Sequence, residues 1–537
     1  MSRPGINLPK RLWTWPVTLV LAAAVLGPGA PAGADADRTG LPEAIDTILG
    51  DPRMEGGVAS VVVADAASGD VLYSHLPTTR LMPASNTKLA TSAAAMGILG
   101  PEHRFTTDVL TGGRRVGSTL VGDLYLRGTG DPTLLAADYD RLAADVAASG
   151  VTRVEGRLLA DDTRFDDQRL GRSWAADDES SYYSAQISAL SVAPDTDYDT
   201  GTVIVTVTPG ARPGDEPAVT VTPDTDYVDV DVDATTVAAG GANDLTVERE
   251  HGGNTLHVTG TTPVGGSGAK EWVTVWEPTG YAAAVFRDAL AAHGVRITGP
   301  TRLGRPTPAG ARQLASHASM PLKDLLIPFM KLSNNMHAEA LTKAMGYEVS
   351  GQGTWPAGLA AVSGYLKGVG VDTARVRQVD GSGLSRMDNF PAGQLTRLLL
   401  AVRAEPWYAD WYRSLPVACD PNRFVGGTLR TRMCNTPAAR NARAKTGSLT
   451  GASALSGYVT DADGRQLVYS IVLNNYLASS VKPLEDAIVV TLARSSAEQA
   501  ATPETVRSAA PDSGPDSGLD SGLDSGLECA WVKPARC

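Results

Sequence analysis

Cysteine is scarce in this chain, and what there is comes late. Four residues, Cys419, Cys434, Cys529 and Cys537, are spread over the last quarter of 537 positions. No C-x-x-C pair exists to hold zinc or to run thiol redox chemistry. Histidine is nearly as thin, seven scattered residues with no H-E-x-x-H, which removes the helical zinc-hydrolase motif too. No metal and no cofactor is expected. Basic clusters are missing as well: Lys and Arg number 47 against 59 Asp and Glu, a formal net charge of −12. Without a run of cations to displace counterions, a nucleic-acid partner is not expected. Long apolar runs are also lacking. The longest, residues 12–26, has 15 positions, short of the ~20 that span a bilayer.

That run nevertheless has a use. Arg3, Lys10 and Arg11 precede it, and the small-residue triplets Ala30-Pro-Ala32 and Ala32-Gly-Ala34 follow it. This is the layout of a cleaved export signal ending near residue 34. No cysteine follows for lipid attachment, so the chain is expected to be exported, secreted or wall-associated, without a firm membrane anchor. An even cysteine count then suggests two disulfides, locally 419–434 and 529–537, although four cysteines allow other connectivities.

After the signal, residues 41–49 have helical spacing, and residues 58–63 and 70–74 look like two strands about a turn at 65–69. From about residue 106 the texture changes to short β-rich runs: 119–127, 154–160, 203–208 and 219–221. Helical patterns interrupt them near 138–149 and 281–293. Gly128-Thr-Gly-Asp-Pro132 lacks the Gly-Lys-Ser/Thr ending of a phosphate loop and reads as a turn closing a strand. Asp229, Asp231 and Asp233 alternate with valines, a strand with a solvated acidic face rather than a calcium site. Helical patterns return with 322–332. Between 438 and 474 the pattern is a hairpin turning at 461–464, and 488–492 sits in a closing helix. Beyond 495 the chain is polar and repeats Asp-Ser-Gly at 512, 516, 520 and 524, too poor in apolar residues to fold. The expected organisation is therefore a signal (1–34), a discontinuous catalytic domain (35–105 and 300–494), an inserted β-rich region (106–299) and an acidic tail (495–537).

Three short motifs carry chemistry. Ser85 and Lys88 are three apart at the start of a helix-forming Ala/Leu/Met run, so on a helix the amine reaches the hydroxyl. A serine becomes a nucleophile when such a base takes its proton. S-x-x-K alone is weak, since it recurs at Ser267–Lys270 and Ser479–Lys482. Ser333-Asn-Asn335 is the chain's single S-x-N, and Lys445-Thr-Gly447 its single K-T-G.

S-x-x-K, S-x-N and K-T-G in this order resemble the signature of penicillin-recognising serine hydrolases. The string Asp380-Gly-Ser-Gly-Leu-Ser-Arg386 with Asn389, the Gly128–Pro132 turn and Gly427-Thr-Leu make the chain similar to the class C low-molecular-mass penicillin-binding proteins, D-alanyl-D-alanine carboxypeptidases/endopeptidases, over roughly residues 44–494. The resemblance implies an α/β (α+β) catalytic domain, an antiparallel sheet flanked by helices. Two β-rich domains are then inserted in the 248 positions between Ser85 and Ser333. It implies Ser85 as nucleophile and Lys88 as its base, with Lys445 a second cation. Ser333 would relay a proton to the leaving amine, and Asn335 would orient Lys88 and bind substrate. The oxyanion hole would use the backbone N–H groups of Ser85 and Ser448. Thr446 and Lys445 would hold the terminal carboxylate, and Gly447 would permit close approach. An acid in the insertion, Asp178 with Asp177 as the alternative, would meet a diamino-acid side chain, and Leu384 and Leu449 would line that pocket. Peptidoglycan stem peptides and β-lactams are the implied partners. A β-lactamase or esterase on the same scaffold and a non-catalytic wall-binding protein are the rival readings.

Overall fold

The computed structural model describes residues 40–497 and 502–506; the export signal, the Asp-Ser-Gly repeats, Cys529 and Cys537 lie outside the described residues. At the centre is a five-stranded antiparallel sheet in the order Arg443–Leu449, Ala452–Thr460, Gln466–Asn474, Val58–Asp65, Val71–His75. Its central strands are buried on both faces, which is why their apolar residues show no strict alternation. Val61, Val63, Tyr469 and Ile471 point to one side, where the helices Leu41–Leu49 and Lys482–Arg494 pack. Val62, Val468 and Val472 point to the other, against a cluster built from Thr87–Ile98, Leu322–Lys331, Asn335–Ser350, Trp355–Gly368 and Ala392–Ala401. The site sits at one end of that second layer.

The hairpin expected between 438 and 474 is three strands, not two. A second reversal at Thr450-Gly451, with Gly451 at φ +68°, splits it, because a tight two-residue turn needs little more than one left-handed glycine. The region between the Ser85 and Ser333 motifs contains four further sheets. Two of them contain strands 114–121, 124–128, 153–155 and 158–161, with the helices Ala136–Ala148 and Pro278–Ala292 in the same apolar cluster. Two three-stranded sheets from Thr202–Thr208 to Ala269–Thr274 share that cluster. The boundary expected at 299 differs from the pairing: Arg312–Ala318 lies antiparallel to Thr106–Thr111, so this sheet continues to Ala318. The Gly128–Pro132 segment ends the strand Leu124–Gly128, and Asp131 caps the turn by accepting from Thr133 N at 2.8 Å.

Cys419 and Cys434 are disulfide-bonded, as local pairing suggested. Residues 502–506, assigned by composition to the polar tail, lie instead against the closing helix. Glu504 pairs with Arg494, its backbone N–H donates to Thr491 Oγ1 at 3.1 Å, and Val506 packs on the core. Among the described residues no helix is long and apolar enough to cross a membrane, and no group of three His, Cys, Asp or Glu side chains is placed to hold a metal.

Candidate active site

Ser85 lies in a 3-10 turn, Ala84–Asn86, that runs into the helix Thr87–Ile98. The turn is tight because Ala84 takes φ +46°, a left-handed conformation that costs a non-glycine residue about 1–2 kcal/mol. Such strain persists only where surrounding packing over-determines it, and here the turn is wedged between two loops. A Cβ on Gly383 would lie 1.9 Å from the Ala84 carbonyl oxygen, and one on Gly447 would lie 2.6 Å from that of Pro83. Glycine is required at both, which is the physical content of G-x-G in the 380–386 string and of the G in K-T-G.

Lys88 is fully buried. Its Nζ is 2.7 Å from Ser85 Oγ, 2.6 Å from Asn335 Oδ1 and 2.9 Å from the Ser382 carbonyl oxygen. Asn335 is oriented by its other end, Nδ2 donating to Tyr183 O at 2.8 Å, so its oxygen must face the amine. S-x-N is placed by a helix start: Asn334 caps Asn335–Ser350 by accepting from His337 N, and Ser333 just before it adopts φ +57°. Asn334 Nδ2 is held in turn by Asp199 Oδ1 and Tyr198 O, each at 3.0 Å. His337 is a packed imidazole beside Phe329, kept neutral by burial that lowers its pKa to about 4.

Lys445 reaches the second hydroxyl. Its Nζ donates to Ser333 Oγ at 2.8 Å, while its backbone oxygen accepts from Asn86 Nδ2 at 3.1 Å. The two lysines therefore serve two serines, Lys88 on Ser85 and Lys445 on Ser333. Thr446 Oγ1 donates to Thr428 Oγ1 at 2.8 Å, which explains the Gly427-Thr-Leu segment: it braces the K-T-G strand from outside the sheet. Ser85, Ser333, Asn335 and Ser448 open on one cleft, with Leu384 and Leu449 in its wall. These leucines also pack with Ala84 and Ala452, so they are wall and core at once.

Asp178 is not in that wall. It is half-buried on the turn Ala176–Asp178 and accepts from the hydroxyl of Tyr183 at 2.8 Å. Tyr183, with Tyr182 and Asp199, does line the cleft; burial and the adjacent Asp178 hold its phenol protonated by raising its pKa. None of these three was singled out from sequence. One other participant was missed: Glu339, a buried carboxyl group beneath the 380–386 loop, beside the buried Asp380 that begins that loop. Asp380 accepts from Gly383 N, Ser385 N and Trp174 Nε1 at 2.7–3.0 Å. Next to it Asp388 is raised well above the usual carboxyl range by burial and by the Asp380 carboxylate. The spacing Asn335-x-x-x-Glu339 was the available signal, since i and i+4 share a helix face.

Comparisons with known proteins give the family and the fold. A D-alanyl-D-alanine carboxypeptidase of Actinomadura sp. (strain R39) is 45% identical over 523 residues, covering 96% of this chain and 95% of that protein. The carboxypeptidase DacB of Haemophilus influenzae is 26% identical over 433 residues, 79% of this chain and 86% of its own. The crystal structure of penicillin binding protein 4 from Haemophilus influenzae superposes with a TM-score of 0.72 at 24% identity, covering 82% of this chain and 94% of that one. That likeness establishes the expected fold, a penicillin-binding/serine β-lactamase-like α/β domain with insertions. Residues 41–495 match one family throughout, and the chain belongs to it: the D-Ala-D-Ala carboxypeptidase 3 (S13) family.

Proposed function

We propose that this protein is an exported serine-type D-alanyl-D-alanine carboxypeptidase/endopeptidase that acts on peptidoglycan stem peptides through an acyl-enzyme on Ser85 and is acylated and inhibited by β-lactams. One observation carries the reading: the set of partners around Lys88 Nζ. An amide oxygen and a peptide carbonyl can only accept. A neutral amine satisfies both with its two N–H groups, Asn335 Oδ1 at 2.6 Å and Ser382 O at 2.9 Å. The third position on the nitrogen faces Ser85 Oγ at 2.7 Å; in the neutral amine that position is the lone pair, the arrangement of a base that takes the serine proton.

The reaction follows from this. Ser85 Oγ gives its proton to Lys88 and attacks the carbonyl of the penultimate D-alanine. The oxyanion is received by the backbone N–H groups of Ser85 and Ser448, a type of donor whose removal typically costs ~3–4 kcal/mol. Ser333 relays the proton that Lys88 took to the departing D-alanine nitrogen as the C–N bond breaks, so that Lys88 is again a neutral amine and Lys445 keeps its charge. Thr446 and Lys445 hold the terminal carboxylate, which supports a free C-terminus as substrate. Water then gives a proton to Lys88 as it attacks the ester carbonyl, and Lys88 returns that proton to Ser85 Oγ as the acyl C–O bond breaks. Asp178 acts on a cationic side chain of the stem peptide through the Tyr183 wall. The Haemophilus homologue has been crystallised with a β-lactam, in keeping with a pocket of this kind accepting such rings.

The test is labelling with fluorescent penicillin, wild type against Ser85→Ala, together with mass analysis of stem peptides after incubation. Loss of a terminal D-alanine and a label confined to the wild type are expected. A labelled Ser85→Ala variant refutes the nucleophile, and rapid release of hydrolysed drug favours the lactamase reading.

A further inference from the structure

Asn335 Oδ1 and Ser382 O both accept from Lys88, and a side chain supplies only the first. The other, Ser382 O, belongs to a loop, and an unsupported loop would not hold a carbonyl on an amine within the few tenths of an ångström that proton transfer demands. The support comes from the same helix that supplies Asn335. One turn further along, Glu339 is fully buried, and its carboxylate grips the loop from below. Oε1 accepts from Ser382 N and Oε2 from Gly381 N, both at 2.8 Å, while Trp355 Nε1 donates to Oε2 at 2.7 Å. Two adjacent peptide N–H groups on two oxygens of one carboxylate leave the intervening peptide little freedom to rotate. The loop also lies flush on the helix: a Cβ on Gly381 would fall 2.2 Å from Thr342 Oγ1 and 2.7 Å from Ala338 O.

The geometry assigns Glu339 as a positioning residue for the general base: it clamps the two peptides that lead into Ser382, while Asp380 holds the N–H of the next peptide, Gly383 N, at 2.7 Å, and together they aim the Ser382 carbonyl at one N–H of Lys88 and leave the lone pair for Ser85. The inference rests on Lys88 being that base. The helix Asn335–Ser350 then sets both acceptors of the amine, one directly through Asn335 and one through Glu339, from positions i and i+4 on one face. The other charged groups around the clamp are Asp380 and Asp388 in and beside the loop, and Lys343 one turn along the helix. Lys343 is occupied by Asp166 at 2.6 Å and lies 3.9 Å from the Trp355 ring. Glu339 itself touches no cleft surface, so its role is in the rate of acylation and not in the capture of ligand.

The experiment measures acylation of Glu339→Gln by a chromogenic penicillin under saturating conditions, per titrated active site, with half-saturation recorded separately. A glutamine turns an NH2 toward one of the two backbone donors, so one clamp bond is lost. The acylation rate is expected to fall about 100-fold, as for a ~1 Å misplacement of a catalytic group, with half-saturation unchanged. Trp355→Phe removes the indole donor and leaves both peptide bonds to Glu339; it is expected to keep the wild-type rate per site. If Glu339→Gln does not accumulate folded, Glu339→Asp, whose carboxylate is drawn back by one methylene, must show the same split. A rate within about threefold of wild type in the glutamate variant, or an equal loss in Trp355→Phe, overturns the clamp. A wild type that penicillin does not acylate at all refutes the proposed function itself, a result distinct from either.

Discussion

Replacing Gly383 by alanine tests whether the 380–386 loop and the nucleophile turn are one mechanical unit. The new Cβ would sit 1.9 Å from the Ala84 carbonyl oxygen and 2.8 Å from Thr87 Oγ1. Carbon and oxygen approach to about 3.3 Å at the closest in ordinary contacts, so the two backbones must separate by roughly 1.4 Å. Gly383 also has φ +85°, which adds about 1–2 kcal/mol for any side chain, and overpacking a filled site typically costs another ~1–3 kcal/mol. The expected loss of stability is therefore about 2–5 kcal/mol. The functional effect is larger, because the displaced residue precedes Ser85: a ~1 Å error at a nucleophile is worth about 100-fold in rate. Gly364 provides the control. It lies exposed in the helix Trp355–Gly368 with nothing within 4 Å of its Cβ position, so Gly364→Ala should stabilise by about 0.5–1 kcal/mol and leave acylation alone. Denaturant unfolding and penicillin acylation are measured on both variants. A Gly383→Ala enzyme that is acylated at the wild-type rate would refute the mechanical link.

Other expectations follow from the same coordinates. His337, neutral by burial with its pKa lowered from 6.5 to about 4, makes the unfolded chain bind more protons between those values. Stability should therefore rise with pH across that window and be lost on acidification, by about 3 kcal/mol; His337→Gln should flatten the slope, and an unchanged slope in urea titrations contradicts the burial argument. Arg249 and Glu179 form a pair at 2.6 Å with side chains 1% and 9% exposed, anchoring the turn that bears Asp178. Arg249→Met should cost about 1–3 kcal/mol, since Glu179 keeps His251 and the Gly252 N–H as partners, against almost nothing if the pair is slack. Reducing the Cys419–Cys434 bond, which closes a 15-residue separation, should lower stability by about 3 kcal/mol, measured by melting with and without reductant.

The reacting groups were legible because their chemistry demands particular residue types in particular local spacings: Ser85 with Lys88, Ser333 with Asn335, Lys445 before a glycine. What places them was less so. Glu339 in a sequence of Asn-Met-His-Ala-Glu looks like an ordinary helix-surface acid. Its burial is decided by Gly381 and Ser382, more than forty positions away. The strand Arg312–Ala318 finds its partner some two hundred residues earlier at Thr106–Thr111, a pairing no local pattern encodes. Thr450-Gly451 was hidden among the other Gly, Ser and Thr residues of 446–457, because strands buried on both faces lack the period-two signal that would have marked the reversal. The 380–386 string was visible only by resemblance; its physical reason is the backbone contact with Ala84 and the helix beneath.

The strand Arg443–Leu449 is outermost in its sheet, bonded to Ala452–Thr460 on one side and, among the described residues, bridged on the other only near its start, where Arg443 meets Val417. An unpaired edge is usually an aggregation hazard, yet this one runs along the floor of a cleft where a second protein's sheet cannot reach. A single extended peptide can, and it would continue the sheet by main-chain hydrogen bonds that are blind to its side chains. Discrimination between ligands then falls to the walls, and part of those walls, Tyr182, Tyr183 and Asp199, is supplied by the long excursion between the first two motifs. New preferences can evolve by rewriting that excursion while the proton-handling groups stay untouched.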